Sequence, residues 1–507
     1  MGQNRRRRMT AGLMALGLMA LGPRLSVWAA EAAPAKVADA PRLVIPPVDP
    51  MPAIHSPSVV GATPGRPFLF LIPATGERPM AYVAANLPAG LSLDPATGII
   101  SGALQVAGTT LVKVTARNAK GEQTRVLTII GGDHQLALTP PMGWNTWYSF
   151  GGEMDDKRIK GVADAFVSQE LSQHGYQYIG LDDGWEGKRD DAGHIQANEK
   201  FPDMKGLADY LHARGLKFGI YSSPGPKTCA GYEGSYQHED QDAASYAAWG
   251  VDLLKYDWCS YETLAGPNAS VETLQKPYAV MRASLDKVPR DMVFSMCQYG
   301  KGDVWKWGKQ IGGNFWRTNG DLQDTWADLK RTFEAENGHE KYAGPGHWND
   351  PDFLSIGYFN WGTVHPTRLT PNEQITQFSL WCLLAAPLGI GGDVTRLDPF
   401  TLGLLTNDEA IEIDQDPLGQ PAGMKRQDGT REVWTRLLSD GTHAVGLVNV
   451  GDEAATLAVH WTDIDAVGPQ EVRDVWLHQD VGTFADSYAV EVPPHGCVLL
   501  KIGSVLR

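Results

Sequence analysis

Residues 253–259 read Leu-Leu-Lys-Tyr-Asp-Trp-Cys, and residues 316–324 read Trp-Arg-Thr-Asn-Gly-Asp-Leu-Gln-Asp. Each is a short apolar run that delivers one carboxylate, Asp257 and then Asp321, to what reads as the C-terminal end of a buried strand. The same pattern recurs on both sides of this pair. From about 139 to 408, strand candidates fall at Met142 to Trp147, Tyr178 to Leu181, Lys217 to Tyr221, Asp252 to Tyr256, Met292 to Met296, Asn314 to Arg317, His347 to Asn349 and Leu388 to Gly391. Helical runs lie between several of them, at Ile159 to His174, Met204 to Arg214 and Glu239 to Trp249. Eight strands at intervals of roughly 20 to 40 residues, interleaved with helices, predict an α/β fold, a (β/α)8 TIM barrel. A doubly wound sheet fits less well, because no Gly-rich phosphate loop follows the first strand.

The flanks of this region change character. Residues 1–30 combine a basic stretch at Arg5 to Arg8, an apolar run from Thr10 to Gly22 and small residues around Ala29-Ala30, the layout of an export signal peptide. The run is short for a membrane span, so a soluble product, exported to the periplasm or beyond the cell, is expected. The arginines leave both the general and the twin-arginine export routes open. Residues 31–50, rich in Ala, Pro and Val, read as a linker. Short β-rich runs at Phe68 to Ile72, Leu111 to Ala116 and Arg125 to Ile130 predict a β-sandwich over 51–132. The phrase LPAGLSLDPATGIISG, Leu87 to Gly102, resembles a bacterial immunoglobulin-like module, and with no cluster of catalytic residues a spacer or surface-contact role is expected. The barrel takes 138–410. Beyond it, Glu432 to Leu438, His443 to Val450, Thr456 to His460 and Val498 to Ile502, with a turn at Asp440-Gly441, predict an antiparallel C-terminal β-sandwich over 415–507.

Composition narrows the partners. A net charge of −15, with no basic patch, argues against nucleic acid and anionic membrane. Sixteen Trp among 507 residues offer aromatic faces on which sugar rings can stack, although most Trp in any protein is core. Five cysteines allow one or two bridges and leave an odd thiol.

Polar and aromatic residues gather just after seven of the eight apolar strand cores: Trp147; Asp182 with Asp183; Tyr221; Lys255 with Asp257; Gln298; Arg317 with Asp321; and Asp350 with Asp352. In a barrel these positions converge on the C-terminal face, where active sites are built. A lone strand-end Asp is more often a helix N-cap, but seven ends so equipped make coincidence a poor account. Two carboxylates on separate strand ends are the minimum for splitting a glycosidic bond. Lys255 lies two residues before Asp257 and so shares its face on a strand, and its ammonium is expected to keep Asp257 ionised; a structural ion pair is the competing reading. Adjacent Asp182 and Asp183 suit neighbouring hydroxyls of one sugar. No metal-ligand spacing occurs near these residues, and neither a metal nor another cofactor is expected.

PPMGWNTW (140–147), GLDDGW (180–185), GIYSSPGPKTCAG (219–231), WGVDLLKYDWC (249–259) and GPGHWNDPDFL (344–354) together resemble glycoside hydrolase family 27, the α-galactosidase (melibiase) family. The resemblance runs over most of 138–425 and extends in kind to the C-terminal sandwich. It implies a retaining exo-glycosidase that removes terminal α-galactosyl residues from carbohydrates, with Asp257 as nucleophile and Asp321 as acid/base. It also places Trp147, Asp182, Asp183, Tyr221, Lys255, Arg317 and Asp352 around the sugar, and pairs Cys229 with Cys259 in a disulfide. The chain departs from the family where many members read Cys-Glu-Trp, for here Cys297-Gln298-Tyr299 stands. Gln298 can accept a hydrogen bond but carries no charge. Members acting on N-acetylgalactosamine have small residues there, and relatives preferring β-L-arabinopyranosides carry Glu at the position of Asp183, so galactose leads. The alternatives are a β-L-arabinopyranosidase, an α-N-acetylgalactosaminidase and a sugar-binding protein without catalysis. A partner for Cys297 found in some relatives is replaced by Gly313, which implies a free buried thiol. The sequence leaves the oligomeric state open.

Overall fold

The computed structural model describes residues 41–504. The expected export segment and the first part of the expected linker lie outside the described residues. Eight parallel strands form the core: β1 (Met142–Asn145), β2 (Tyr178–Gly180), β3 (Lys217–Ser222), β4 (Leu253–Asp257), β5 (Val293–Cys297), β6 (Phe315–Arg317), β7 (Trp348–Asp350) and β8 (Leu388–Ile390). They run in the order β7-β6-β5-β4-β3-β2-β1-β8. A parallel bridge from Leu354, just past β7, to Ile390 closes the ring. The fold is the expected (β/α)8 barrel.

Local chemistry sets the element ends. The first strand was expected to continue to Trp147 but stops at Asn145, whose side chain accepts from the Trp147 N–H at 2.9 Å and caps a single helical turn, Thr146–Phe150. That turn lifts Trp147 over the barrel mouth instead of burying it in the sheet. The expected helix from Ile159 to His174 divides into Asp156–Ser168 and a 3-10 turn, Leu171–His174, because Glu170 between them takes a left-handed φ of 58°. Helix Pro371–Leu384, between β7 and β8, is buried on nearly every side. Such a helix must be covered all round, and the C-terminal sandwich supplies the second cover. Trp476 Nε1 donates to Ser379 Oγ at 2.8 Å, and Arg436 Nη1 donates to the Cys382 carbonyl at 2.7 Å.

The C-terminal region is a six-stranded sheet that includes Arg431–Leu437, His443–Asn449 and Cys497–Ser504, with the pair Ala455–His460 and Ser487–Val492 packed against it. The N-terminal module is a β-sandwich with its own core of Phe68, Phe70, Tyr82, Ile100, Val112, Val114, Leu127 and Ile129. It is docked on the barrel rather than held clear of it. Arg66 pairs with Asp291 at 3.1 Å, the Thr63 N–H donates to the same carboxylate at 2.7 Å, and Gln177 Nε2 donates to the Leu71 carbonyl at 2.9 Å. Gln177 precedes β2 and Asp291 precedes β5, so the module covers the end of the barrel where strands begin. The second half of the expected linker is likewise bound: Arg42 pairs with Asp474 at 2.6 Å, and the Val44 N–H donates to the Trp476 carbonyl at 2.9 Å. Among the described residues no helix is long and apolar enough to cross a membrane.

Candidate active site

The opposite end, where strands finish, gathers all ten sequence-predicted site residues on β1 to β7 or the turns that follow. Asp257, the last residue of β4, is 5% exposed. The Tyr299 hydroxyl donates to its Oδ1 at 2.6 Å, and Lys255 Nζ lies 4.0 Å from its Oδ2. Lys255 is much closer to Asp182, whose Oδ2 accepts from its ammonium at 2.7 Å and from Asn145 Nδ2 at 2.9 Å. Lys255 therefore pulls Asp257 toward its charged form, as expected, but from the longer contact and not strongly enough to offset burial. Burial pushes the Asp257 carboxyl above the ordinary range, with Lys255 and the Tyr299 hydroxyl pulling against it. Asp182, 73 residues away in sequence, takes the ammonium's short contact.

Asp183 points elsewhere from its neighbour. Its Oδ2 accepts from the Ala230 N–H at 2.7 Å, while Oδ1 is buried without a hydrogen-bond partner among the described residues. Burial raises this carboxyl to about 6, against the Ala230 hydrogen bond. Ala230 follows Cys229, which is disulfide-bonded to Cys259, two residues past Asp257. The implied disulfide thus joins the loop after β3 to the end of β4. That loop lies so close that a side chain at Gly225 would meet the Cys259 carbonyl and Ser260 Oγ. Tyr221, at the end of β3, stands under Lys255 with the ammonium 5.1 Å from its ring centre, and its hydroxyl lies 3.3 Å from Cys259 Sγ. Cys297, Cys382 and Cys497 are free and buried.

On the other side of the mouth, Arg317 organises two carboxylates. Its Nη2 lies 2.9 Å from Asp352 Oδ2, and both terminal nitrogens lie 3.3 Å from Asp321 Oδ1. Asp321 is the open member of the set, with its side chain 45% exposed. Asp352 is wholly enclosed: Oδ2 also accepts from Tyr148 at 2.5 Å and from the Leu322 N–H at 2.8 Å, and Oδ1 from the Phe353 N–H at 2.8 Å. These bonds hold Asp352 at a φ of 104°, a conformation that costs a non-glycine residue about 1–3 kcal/mol. Gln298 Nε2 donates to the Lys301 carbonyl at 2.9 Å, leaving Oε1 buried and without a partner among the described residues. Trp147 is half-buried at the rim.

Three contributors escaped the sequence reading as site residues: Tyr299, Tyr148 and Asn145. Tyr299 follows Gln298, and on a pleated strand neighbours face opposite sides. Here Tyr299 has a φ of 61°, which ends the pleat and turns its hydroxyl toward Asp257. Asn145 lies within the 140–147 motif and Tyr148 just beyond it.

Buried acceptors without partners, such as Asp183 Oδ1 and Gln298 Oε1, fit a ligand rich in hydroxyl donors. A buried carboxylate at one strand end and an open one at another fit glycoside chemistry. The family profile for alpha galactosidase A matches residues 139–416, that for the alpha galactosidase C-terminal beta sandwich domain matches 428–502, and an Ig domain profile matches 51–130. The chain belongs to the α-galactosidase family, glycoside hydrolase family 27. The α-galactosidase A of Cellvibrio japonicus is 38% identical over 393 residues, spanning 73% of this chain and 93% of the relative. A crystal structure from Bacteroides fragilis, provisionally assigned as an α-galactosidase/melibiase, superposes with a TM-score of 0.85 at 38% identity over 90% of this chain and 98% of its own. The α-galactosidase I of Mortierella vinacea gives a TM-score of 0.68 at 32% identity over 74% and 99%. This member of the α-galactosidase family is accordingly a glycoside hydrolase, an α-galactosidase.

Proposed function

We propose that the chain is an exported, retaining exo-α-galactosidase in which Asp257 is the nucleophile and Asp321 the acid/base. One contrast carries the assignment: Asp257 is enclosed and hydrogen-bonded by Tyr299, whereas Asp321 is open to solvent beside Arg317. The enclosed carboxylate attacks the anomeric carbon as Asp321 gives its proton to the leaving oxygen, forming a galactosyl ester on Asp257. Asp321, now ionised, takes a proton from water, which displaces Asp257 and releases galactose with its configuration kept. Asp182, Asp183, Lys255, Arg317, Asp352, Tyr221 and Trp147 bind and orient the sugar, and Asp183 Oδ1 and Gln298 Oε1 await hydroxyl donors. Gln298 is buried, 1% exposed, and is not small, whereas relatives acting on N-acetylgalactosamine have small residues at this place, which supports galactose. Export rests on the pattern of residues 1–30.

The test is proton NMR of the first-formed sugar from nitrophenyl α-galactoside. Appearance of α-galactose ahead of its β anomer is expected; β-galactose first would mean inversion. Asp257→Asn should abolish turnover while leaving binding intact. In a panel with β-L-arabinopyranoside and α-N-acetylgalactosaminide, the galactoside should react fastest.

A further inference from the structure

At the seam between the N-terminal module and the barrel, two histidines converge on one carboxylate. His55 comes from the module, His174 ends the 3-10 turn before β2, and Asp408 opens helix Asp408–Asp414 after β8. His174 Nδ1 lies 2.8 Å from Asp408 Oδ1, and His55 Nδ1 lies 3.3 Å from Asp408 Oδ2. One ligand-type atom from each residue falls within 4.8 Å of the others.

We propose that His55, His174 and Asp408 form a zinc-class metal site that staples the module to the barrel. Ligands around a tetrahedral zinc are about 3.3 Å apart, and two imidazoles on one such ion have ring centres about 5 Å apart. The His55–Asp408 distance of 3.3 Å matches the first value, the His174–Asp408 distance of 2.8 Å has to open by about 0.5 Å, and the ring centres are 5.5 Å apart. Two imidazoles and a carboxylate are a donor set that zinc accepts, with water as the fourth ligand.

Two further observations fit a metal rather than a chance cluster. The far ring nitrogen of His55, Nε2, is 2.7 Å from Thr75 Oγ1, the outer contact that fixes a metal-bound imidazole in place. Asp408 is also spared other duties. Its helix is capped by Asn407, whose side chain accepts from the Ala410 N–H, and the nearby Arg125 is taken up bidentately by Glu412 at 2.6 and 2.8 Å. The side chains are 11, 12 and 28% exposed in the order His55, His174, Asp408, so the site is sheltered yet open to entry beside the carboxylate. Cys229, Cys259 and Asp257 also lie within ligand distance of one another, but the disulfide consumes both thiols.

The test is titration of the chelator-treated full chain with Co2+ and then Zn2+. One tetrahedral Co2+ spectrum per chain is expected, displaced by Zn2+, with Zn2+ raising the Tm and chelator reversing the rise. His55→Gln and His174→Gln should each weaken Co2+ binding by more than tenfold with kcat on nitrophenyl α-galactoside unchanged. Thr75→Val, which removes no ligand, should weaken it by about tenfold. No tetrahedral spectrum from the wild-type chain, or one that survives undiminished in His174→Gln, overturns the proposal.

Discussion

The Tyr299 hydroxyl donates a 2.6 Å hydrogen bond to Oδ1 of Asp257. Burial raises the Asp257 carboxyl, and this hydroxyl is one of two groups that counter it. Tyr299→Phe should therefore move the acid limb of kcat/KM to higher pH. A hydrogen bond to a charged group contributes about 1.5–3 kcal/mol, so kcat/KM measured on that limb should fall by about tenfold or more. A limb that stays in place in the variant would show that the hydroxyl does not tune the nucleophile.

The wild-type pH profile follows from the same burial. Asp183 is raised to about 6, and so is Asp350, where burial outweighs the pull of Arg317. A raised carboxyl gains a proton as pH falls through its folded value, so kcat/KM should decline below about 6. Sugar hydroxyls donating to Asp183 Oδ1 favour its charged form, and the limb of kcat should therefore lie at lower pH than that of kcat/KM. Steady-state rates between pH 4 and 8 check this; limbs that coincide would remove Asp183 from sugar binding.

Breaking the disulfide should be felt in binding as well as in stability. Cys229→Ser opens a loop closed across 30 residues, at a cost of about 3.6 kcal/mol. It also loosens Ala230, whose N–H holds Asp183. A lower Tm together with a higher KM for nitrophenyl α-galactoside is expected; a lower Tm with unchanged KM would confine the bridge to a structural role.

Arg317 bridges Asp352, which is closed off from solvent, and Asp321, which is not. Removing one partner of a buried pair strands the other charge, typically at 3–5 kcal/mol. Arg317→Met should be destabilised on that scale by denaturant unfolding. Arg317→Lys, which keeps charge but not the fork that reaches both acids, should fold and lose most of its kcat.

The strands of the barrel were legible within one or two residues because buried parallel strands read as compact apolar runs between turn signals. The acids were legible because they end those runs. What the sequence hid depends on backbone turns and distant pairing. Tyr299 faces the nucleophile only through a left-handed backbone that its residue type does not announce. Lys255 looks like the partner of Asp257, two residues away, until the neighbouring strands bring Asp182 nearer. The docking of the N-terminal module was hidden for another reason. It rests on single polar and charged residues, among them Gln177 with the Leu71 carbonyl, Arg66 with Asp291 and Arg125 with Glu412, which look like ordinary surface in either segment alone.

That docking divides the molecule's tolerance of change between the two ends of one barrel. At the mouth, a substitution alters which sugar is held and how fast it is cut. At the floor, where Gln177 and Asp291 bind the module, a substitution alters whether two independently cored units stay together. A surface loop on the module's far side is free to diverge, whereas the rim that meets the strand starts must change in step with the barrel. The seam is thus a second site of constraint, at the end of the barrel opposite the sugar site.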